Sequence, residues 1–550
     1  MTQDTAASSA ALLLEDSLQV SPPGRWRVRL AWLLIIIIYL AGVSARWRPT
    51  ADGALYLSLG RSIARGEGYV ANGVPHATVT PGLPLVLAAL RPTFDAGYWA
   101  PNLFVALCGL ASLFLTYAAF LHLTGRALAM AVTLTTAASF PFYAVSHTIL
   151  TDAPFVLLAS ALLYACVRAI RGSSLWLLPA TAATVLAVSV RAPGVLIIGS
   201  LALALLLVPA RPVPRLRDRA RLCGFLVLGI TLLTSGCFLL VAWPRAGGGP
   251  PGYVAGPLYL WSRGARDRFL ATLDFLAGLP EDFARLFLGQ NGPDFLAFLL
   301  IALVALGIVA LWKRPERFLA LFPLLAILAH VPFGPENRSV RHLIGILPAL
   351  AYVALVGLCL SVRWLLHAAR RAPPTPSALS KAVTVCVAVF VLFNAPQLVR
   401  EAYYASVVSY SPRFYQTFRR GGFADLFAVT DLLRDSSARN LSLAAPPGDV
   451  MYFHYLTDRR VVPLPDPARD PLSADDADRL LASLLSRPDL AHFVLDVRPP
   501  KKAEEKGDGI LFEPRPVPLR ARLDSLVQQG ALRVIFDGKQ YRAYARPHPE

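Results

Sequence analysis

Apolar residues fall in eleven runs between residues 30 and 399, separated by shorter stretches that collect arginine, proline and glycine. The runs cover residues 30–45, 99–121, 127–151, 153–167, 173–190, 192–210, 222–244, 295–312, 318–335, 343–362 and 382–399. Most are ~18 to 23 residues long, the length at which an α-helix crosses a hydrocarbon core of roughly 30 Å, so the pattern predicts about 11 transmembrane helices. Runs 30–45 and 153–167 are short and must borrow flanking residues. The stretch Pro81–Leu90 is too short to cross and reads as an interfacial segment.

Beyond about residue 400 the pattern changes, and charges and prolines return. Apolar runs at Leu441–Ala445, His492–Val497 and Arg533–Asp537 predict strands. Ser473-Ala474-Asp475-Asp476, leading into Leu480, Leu481, Leu484 and Leu485 at helical spacing, predicts a helix start. That alternation predicts a small α/β domain. The expected organisation is a polar tail over 1–29, a membrane domain over 30–400 with long loops at 46–98 and 245–294, and a soluble α/β domain over 401–550. The fold class is an α-helical polytopic membrane protein with a C-terminal extracytoplasmic α/β domain.

Composition strengthens the membrane reading: 55% of residues are hydrophobic and 16% charged, whereas about a quarter are charged in a typical soluble chain. The 53 Lys+Arg against 35 Asp+Glu give a net charge of +18, which in a soluble protein would suggest nucleic acid. The placement of these charges says otherwise. With the N-terminus in the cytoplasm, the short loops on that side hold Arg126, Arg168, Arg171, the arginines of 211–221, Lys313, Arg314, Arg317, Arg363, Arg370, Arg371 and Lys381. Short loops on the opposite side hold Arg191, Arg338 and Arg341. This is the positive-inside asymmetry; it puts the C-terminal domain outside and points to membrane lipids, with no nucleic acid, as partners. A bacterial inner membrane with a periplasmic C-terminal domain is the expected setting. Asn337-Arg338-Ser339 and Asn440-Leu441-Ser442 are glycosylation sequons by pattern alone. Val43-Ser44-Ala45 resembles a signal-peptidase site, but the long polar lead before Leu30 argues against cleavage. All six cysteines lie within the apolar runs, so neither a disulfide framework nor a thiolate metal site is implied.

Ionisable residues near a bilayer are costly and therefore functional candidates. On the outer side stand Asp52, which opens an amphipathic segment through Leu55, Tyr56, Leu59 and Ile63; His147 and Asp152; Arg191; and Glu336, Arg338, Arg341 and His342. Such a set suits displacement of a phosphate from a lipid-linked donor. A carboxylate takes the proton of an attacking hydroxyl while arginine forks or a histidine balance the departing charge. Each has a plainer alternative: helix capping for Asp52 and for Asp152 before Ala153-Pro154, snorkelling for Arg191 and Arg338, a satisfied interface position for His147 and His342, and an interfacial aromatic belt for Tyr56. The segment from Arg245 through Gly247-Gly248-Gly249-Pro250-Pro251-Gly252 to Tyr253, Tyr259, Trp261 and Phe269 reads equally as a mobile outer loop near a substrate entrance or as a connector.

Thr50-Ala51-Asp52-Gly53-Ala54-Leu55-Tyr56, with Ser62-Ile63-Ala64-Arg65-Gly66-Glu67-Gly68-Tyr69 and Thr80-Pro81-Gly82-Leu83-Pro84, resembles the first outer loop of the GT-C glycosyltransferases. The likeness is to the dolichyl-phosphate-mannose-protein mannosyltransferase-like group and to the lipid A aminoarabinose transferases. Val190-Arg191-Ala192-Pro193-Gly194 and Arg341-His342-Leu343-Ile344-Gly345-Ile346-Leu347-Pro348 fit the same pattern. The resemblance implies an inverting transferase that moves a sugar from a polyprenyl-phosphate donor to a lipid, glycan or protein acceptor on the outer face. Asp52 would be the general base, Asp152 a second carboxylate, Arg191, Arg341, Arg338 and His342 partners of the donor phosphate, and Tyr56 and Glu336 substrate contacts, with no cofactor and no metal. Many relatives carry a second acidic residue where this chain has Gly53. The rival classes are a carrier or flippase for a lipid-linked sugar, disfavoured because charges cluster at span ends and no internal repeat is seen, and a non-enzymatic scaffold presenting the outer domain.

Overall fold

The structure is a computed structural model and describes residues 23–77, 79–208, 214–245, 264–289, 294–312, 314, 316–333, 340–370, 376–411, 414–417, 423–435, 441–465, 473–497 and 518–547. Two compact units emerge. The first comprises residues 1–47, 76–83 and 92–407, and the second residues 48–75, 84–91 and 408–550.

The first unit is helical. Among the described residues, five helices are long and apolar enough to cross a membrane: Trp99–Thr124, Asp152–Arg171, Arg217–Leu240, Val340–Ala368 and Ser377–Tyr410. Shorter apolar helices cover Arg126–Ala138, Ser174–Val190, Gly194–Leu206, Phe295–Leu311 and Arg317–His330. The apolar runs therefore emerge as helices of unequal length. Phe225, Leu233, Leu240 and Leu392 stand exposed on this unit; water would penalise that, whereas a lipid environment accommodates it.

Run 127–151, expected as a single span, is broken. Ser139 leaves the helix Arg126–Ala138 with extended backbone (φ −61°, ψ 118°) and restarts the chain as Phe140–Val145, accepting a bond from the Phe142 amide at 3.5 Å. Its hydroxyl donates to the Leu286 carbonyl at 2.6 Å, and Pro141 has no amide hydrogen with which to continue the helix. Elsewhere helices meet through glycine. A Cβ at Gly357 would strike the Leu303 carbonyl, and one at Gly307 the Val353 carbonyl, so Asp294–Leu311 and Leu347–Arg370 touch backbone to backbone. Small residues at such crossings are how helices pack where lipid removes the hydrophobic drive between them.

In the second unit, strands Val70–Ala71 (β1) and Val74–Pro75 (β2) form a hairpin, and Ser442–Ala445 (β3), Val461–Pro463 (β4), Leu490–Asp496 (β5), Arg533–Asp537 (β6) and Tyr541–Ala545 (β7) form a sheet in the order β4-β3-β5-β7-β6. β3 runs parallel to β4 and β5, while β7 runs antiparallel to β5 and β6. The central strand β5 is buried from Leu490 to Leu495, and helices Ala474–Leu485 and Pro518–Gln528 pack Leu481, Leu484, Leu519 and Leu523 against the sheet. Ser473 caps the first of these helices by accepting from the Asp476 amide at 3.1 Å.

Candidate functional site

In the first unit the Val190–Gly194 corner brings a charge to the start of a neighbouring helix. Helix Leu177–Val190 ends when Arg191 turns to extended backbone (φ −148°, ψ 109°), and Gly194 starts the next helix with the Phe155 ring lying where a Cβ would stand. Arg191 thereby reaches Asp152, the first residue of Asp152–Arg171, whose carboxylate also sits favourably at the positive end of that helix. Arg191 Nη1 donates to Asp152 Oδ1 at 2.6 Å and to Thr151 Oγ1 at 3.3 Å. Arg341, in the short helical turn Val340–Leu343, donates to the other carboxylate oxygen from Nη2 at 2.9 Å and from Nε at 3.3 Å. Asp152 is 1% exposed and Arg191 8%, but Arg341 is 36% exposed. One buried carboxylate is thus held by two guanidiniums, that of Arg191 buried and that of Arg341 36% exposed.

Beside it the His342 ring stacks on His330, with centroids 5.8 Å apart and planes 21° apart, and His330 Nδ1 is anchored on the Ala326 carbonyl at 2.7 Å. A small apolar cavity of about 10 Å³, lined by Ala159, Ile197, Leu201, Phe322 and Pro348 among others, lies between the helices whose ends carry these charges. His147 has another duty. Its ring nitrogens lie 2.7 Å from the Tyr143 carbonyl and 2.8 Å from the Tyr39 carbonyl, and the ring packs 4.1 Å from that of Tyr143. At 1% exposure it ties two helices together.

Asp52 and Tyr56 belong to the second unit, on the helix Ala51–Ala64. Thr50, not Asp52, is the N-cap: its hydroxyl accepts from the Gly53 amide at 3.0 Å. The capping alternative for Asp52 is thereby filled by its neighbour, and Asp52 lies half-buried in the first turn while Tyr56 is buried. Glu336 and Arg338 lie outside the described residues, as do residues 246–263 of the glycine-rich segment. Among the described residues no group of three His, Cys, Asp or Glu side chains is arranged to hold a metal ion.

The helix Ala51–Ala64 carries a set of polar links that sequence reasoning passed over. Arg61 donates to the Tyr455 carbonyl at 2.9 Å, pairs with Asp458 at 3.1 Å and lies 5.2 Å from the centroid of the Tyr455 ring; Arg65 donates to Asp458 at 2.7 Å. Just beyond, Asn72 (φ 53°) and Gly73 (φ 77°) turn the β1–β2 hairpin, both in the left-handed region that this two-residue turn requires. The Asn72 side chain donates to the Val461 carbonyl at 2.7 Å and accepts from its amide at 2.6 Å, while the Asn72 amide donates to His454 Nε2 at 2.9 Å. His454 Nδ1 lies 2.7 Å from the Arg459 carbonyl, so the ring is neutral and protonated on Nδ1. Burial, opposed by the Arg459 carbonyl and reinforced by the Arg61 charge, holds this imidazole below its ordinary range. Burial raises the Asp458 carboxyl, but the Arg65 hydrogen bond and the Arg61 charge outweigh it and leave the group below the usual carboxylate value. The available signal was Asn72-Gly73 between Val70-Ala71 and Val74-Pro75, a strong hairpin dipeptide.

Residues 78–235 match the dolichyl-phosphate-mannose-protein mannosyltransferase family. No curated protein sequence matches significantly. Among solved structures, ArnT from Cupriavidus metallidurans bound to undecaprenyl phosphate is similar at TM-score 0.58 and 13% identity, over 95% of this chain and 98% of that one. The archaeal oligosaccharyltransferase AglB from Archaeoglobus fulgidus, in complex with an inhibitory peptide and a dolichol-phosphate, is similar at TM-score 0.54 and 12% identity, over 86% of this chain and 70% of that one. The chain accordingly has an ArnT-like GT-C fold, and its residues 78–235 resemble the mannosyltransferase family.

Proposed function

We propose that this chain is a glycosyltransferase that moves a sugar from a polyprenyl-phosphate donor to an acceptor hydroxyl on the outer face of the membrane, with inversion at the anomeric carbon. The observation that carries the reading is the Asp152 carboxylate held between Arg191 and Arg341, which fixes two guanidiniums side by side, one of them partly exposed. A planar guanidinium fork matches phosphate oxygens. In the proposed reaction the acceptor oxygen attacks the anomeric carbon and gives its proton to Asp52. The bond from that carbon to the phosphate oxygen breaks, and the polyprenyl phosphate leaves with the bonding pair, its charge met by Arg341 and Arg191.

Asp152 has both oxygens taken by arginines, so we assign it positioning of those arginines in place of proton transfer. His342 and Arg338 remain proposed neighbours of the phosphate, Tyr56 and Glu336 of the substrate. The topology proposed is N-terminus cytoplasmic and residues 401–550 extracytoplasmic, in a bacterial inner membrane.

The test is transfer of radiolabelled sugar from polyprenyl-phosphate donors to a membrane extract by the purified full chain, with Asp52→Asn and Arg341→Ala variants. Expected are loss of turnover with donor binding kept for Asp52→Asn, and weakened donor binding for Arg341→Ala. Normal turnover by Asp52→Asn would remove it as the base, and donor bound without transfer by the wild type would favour a carrier.

A further inference from the structure

Asp52 stands in the first turn of a helix of fourteen residues, Ala51–Ala64, and that helix is fastened to residues far away in the chain. Two separate devices do it. At the C-terminal end of the helix, Arg61 is 11% exposed and reaches the Tyr455 carbonyl and Asp458, while Arg65 takes the other Asp458 oxygen. Just after it, the Asn72-Gly73 turn is stitched to Val461 by a reciprocal pair of side-chain bonds and to His454 by its backbone amide. All the anchoring groups lie on or beside the helix Val450–Thr457 and strand β4. A loop needs neither a reciprocal asparagine clamp nor a buried arginine in order to be a connector, since each orders a side chain at an entropic cost. Both devices point along the chain toward the segment that begins with Asp52.

We propose that the C-terminal α/β region is a positioning element of the transfer reaction, with Asn72, His454, Arg61 and Asp458 as the positioning residues that fix the helix bearing Asp52. This rests on Asp52 being the base, as proposed above. A base held within a fraction of an ångström gives a rate that a loosely held one does not, and misplacement of about 1 Å costs up to about 100-fold.

The experiment pairs two independent readouts on the full-length protein: hydrogen exchange of the amides of residues 51–75, and steady-state transfer with kcat and KM for the donor determined separately. The variants are Asn72→Ala, His454→Ala, His454→Gln and, as a control on the same unit, Arg522→Ala, whose partner among the described residues is the exposed Asp478. Asn72→Ala and His454→Ala are expected to speed exchange across 51–75 and to lower kcat by about 10- to 100-fold, with the donor KM unchanged within about two-fold of wild type on the same positioning argument. His454→Gln restores an acceptor for the Asn72 amide and is expected to recover most of kcat, while Arg522→Ala changes neither readout. Faster exchange with unchanged kcat overturns the proposal, and so does unchanged exchange in folded variants. A wild type that transfers no sugar from any polyprenyl-phosphate donor overturns the transferase reading and the catalytic role with it, while the exchange data still decide whether these residues hold the helix.

Discussion

Replacing Asp152 by asparagine keeps the shape of the side chain and removes its charge, leaving an amide facing two guanidiniums. Arg191 is 8% exposed and Asp152 1%, so this arm belongs with buried pairs, where removing one partner costs about 3–5 kcal/mol because the other charge stays stranded. Arg341 is 36% exposed and solvent screens its arm, so that pair adds about 1 kcal/mol or less. Asp152→Asn should therefore destabilise the first unit by about 3–5 kcal/mol, more than Arg341→Gln. Arg191→Gln should fall between them, since Arg341 still neutralises the carboxylate. The decisive measurement is a double-mutant cycle in detergent micelles, followed by unfolding in denaturant. Asp152→Asn combined with Arg191→Gln should be less damaging than the sum of the two by about 1–3 kcal/mol. Additive losses, or an Asp152→Asn variant within about 0.5 kcal/mol of wild type, would refute the reading of this cluster as a buried, mutually dependent unit.

Three further outcomes follow from the geometry. Gly194→Ala puts a methyl group into the Phe155 ring and should cost about 1–3 kcal/mol while displacing the Arg191 corner, seen as a weaker donor affinity together with a lower melting temperature. Gly357→Leu forces apart two helices in backbone contact and should abolish a monodisperse peak in size-exclusion chromatography, whereas Gly199→Leu, where a Cβ meets nothing, should not. The His454 link should weaken with acid. The folded ring titrates below its unfolded value of about 6.5, so its neutral-state contacts are intact above that pH and are lost as pH falls through it toward the lower folded value. Arg61, Asp458 and Glu67 are the charges that bear on it, and exchange of residues 70–75 should quicken at low pH in wild type but less so in His454→Gln.

Much of the helical unit was legible because long apolar runs have few alternatives once charge excludes water as their surroundings. The break at Ser139 was passed over: Pro141 was a local signal for it, whereas the bond from Ser139 to the Leu286 carbonyl far along the chain was not visible. Strands β3, β5 and β6 were visible as apolar runs; β4, three residues beginning Val461-Val462, and β7, with Arg542 and two tyrosines, were too short or too polar to stand out. For the site, Asp152, Arg191 and Arg341 could be named from their positions at span ends. That Asp152 binds both arginines needed three dimensions. The residues that hold the Asp52 helix were missed because an arginine or asparagine on a polar loop looks like any other solvated residue until its distant partner is known.

The chain passes between its two compact units at five places, after residues 47, 75, 83, 91 and 407. A stop codon near residue 407 would therefore delete one of three pieces of the second unit and orphan the other two, Arg48–Pro75 and Pro84–Arg91, inside what remains. Exchange of sequence at any single one of these junctions would separate the pieces in the same way. A chimera that exchanges the second unit intact has to transplant three discontinuous stretches at once.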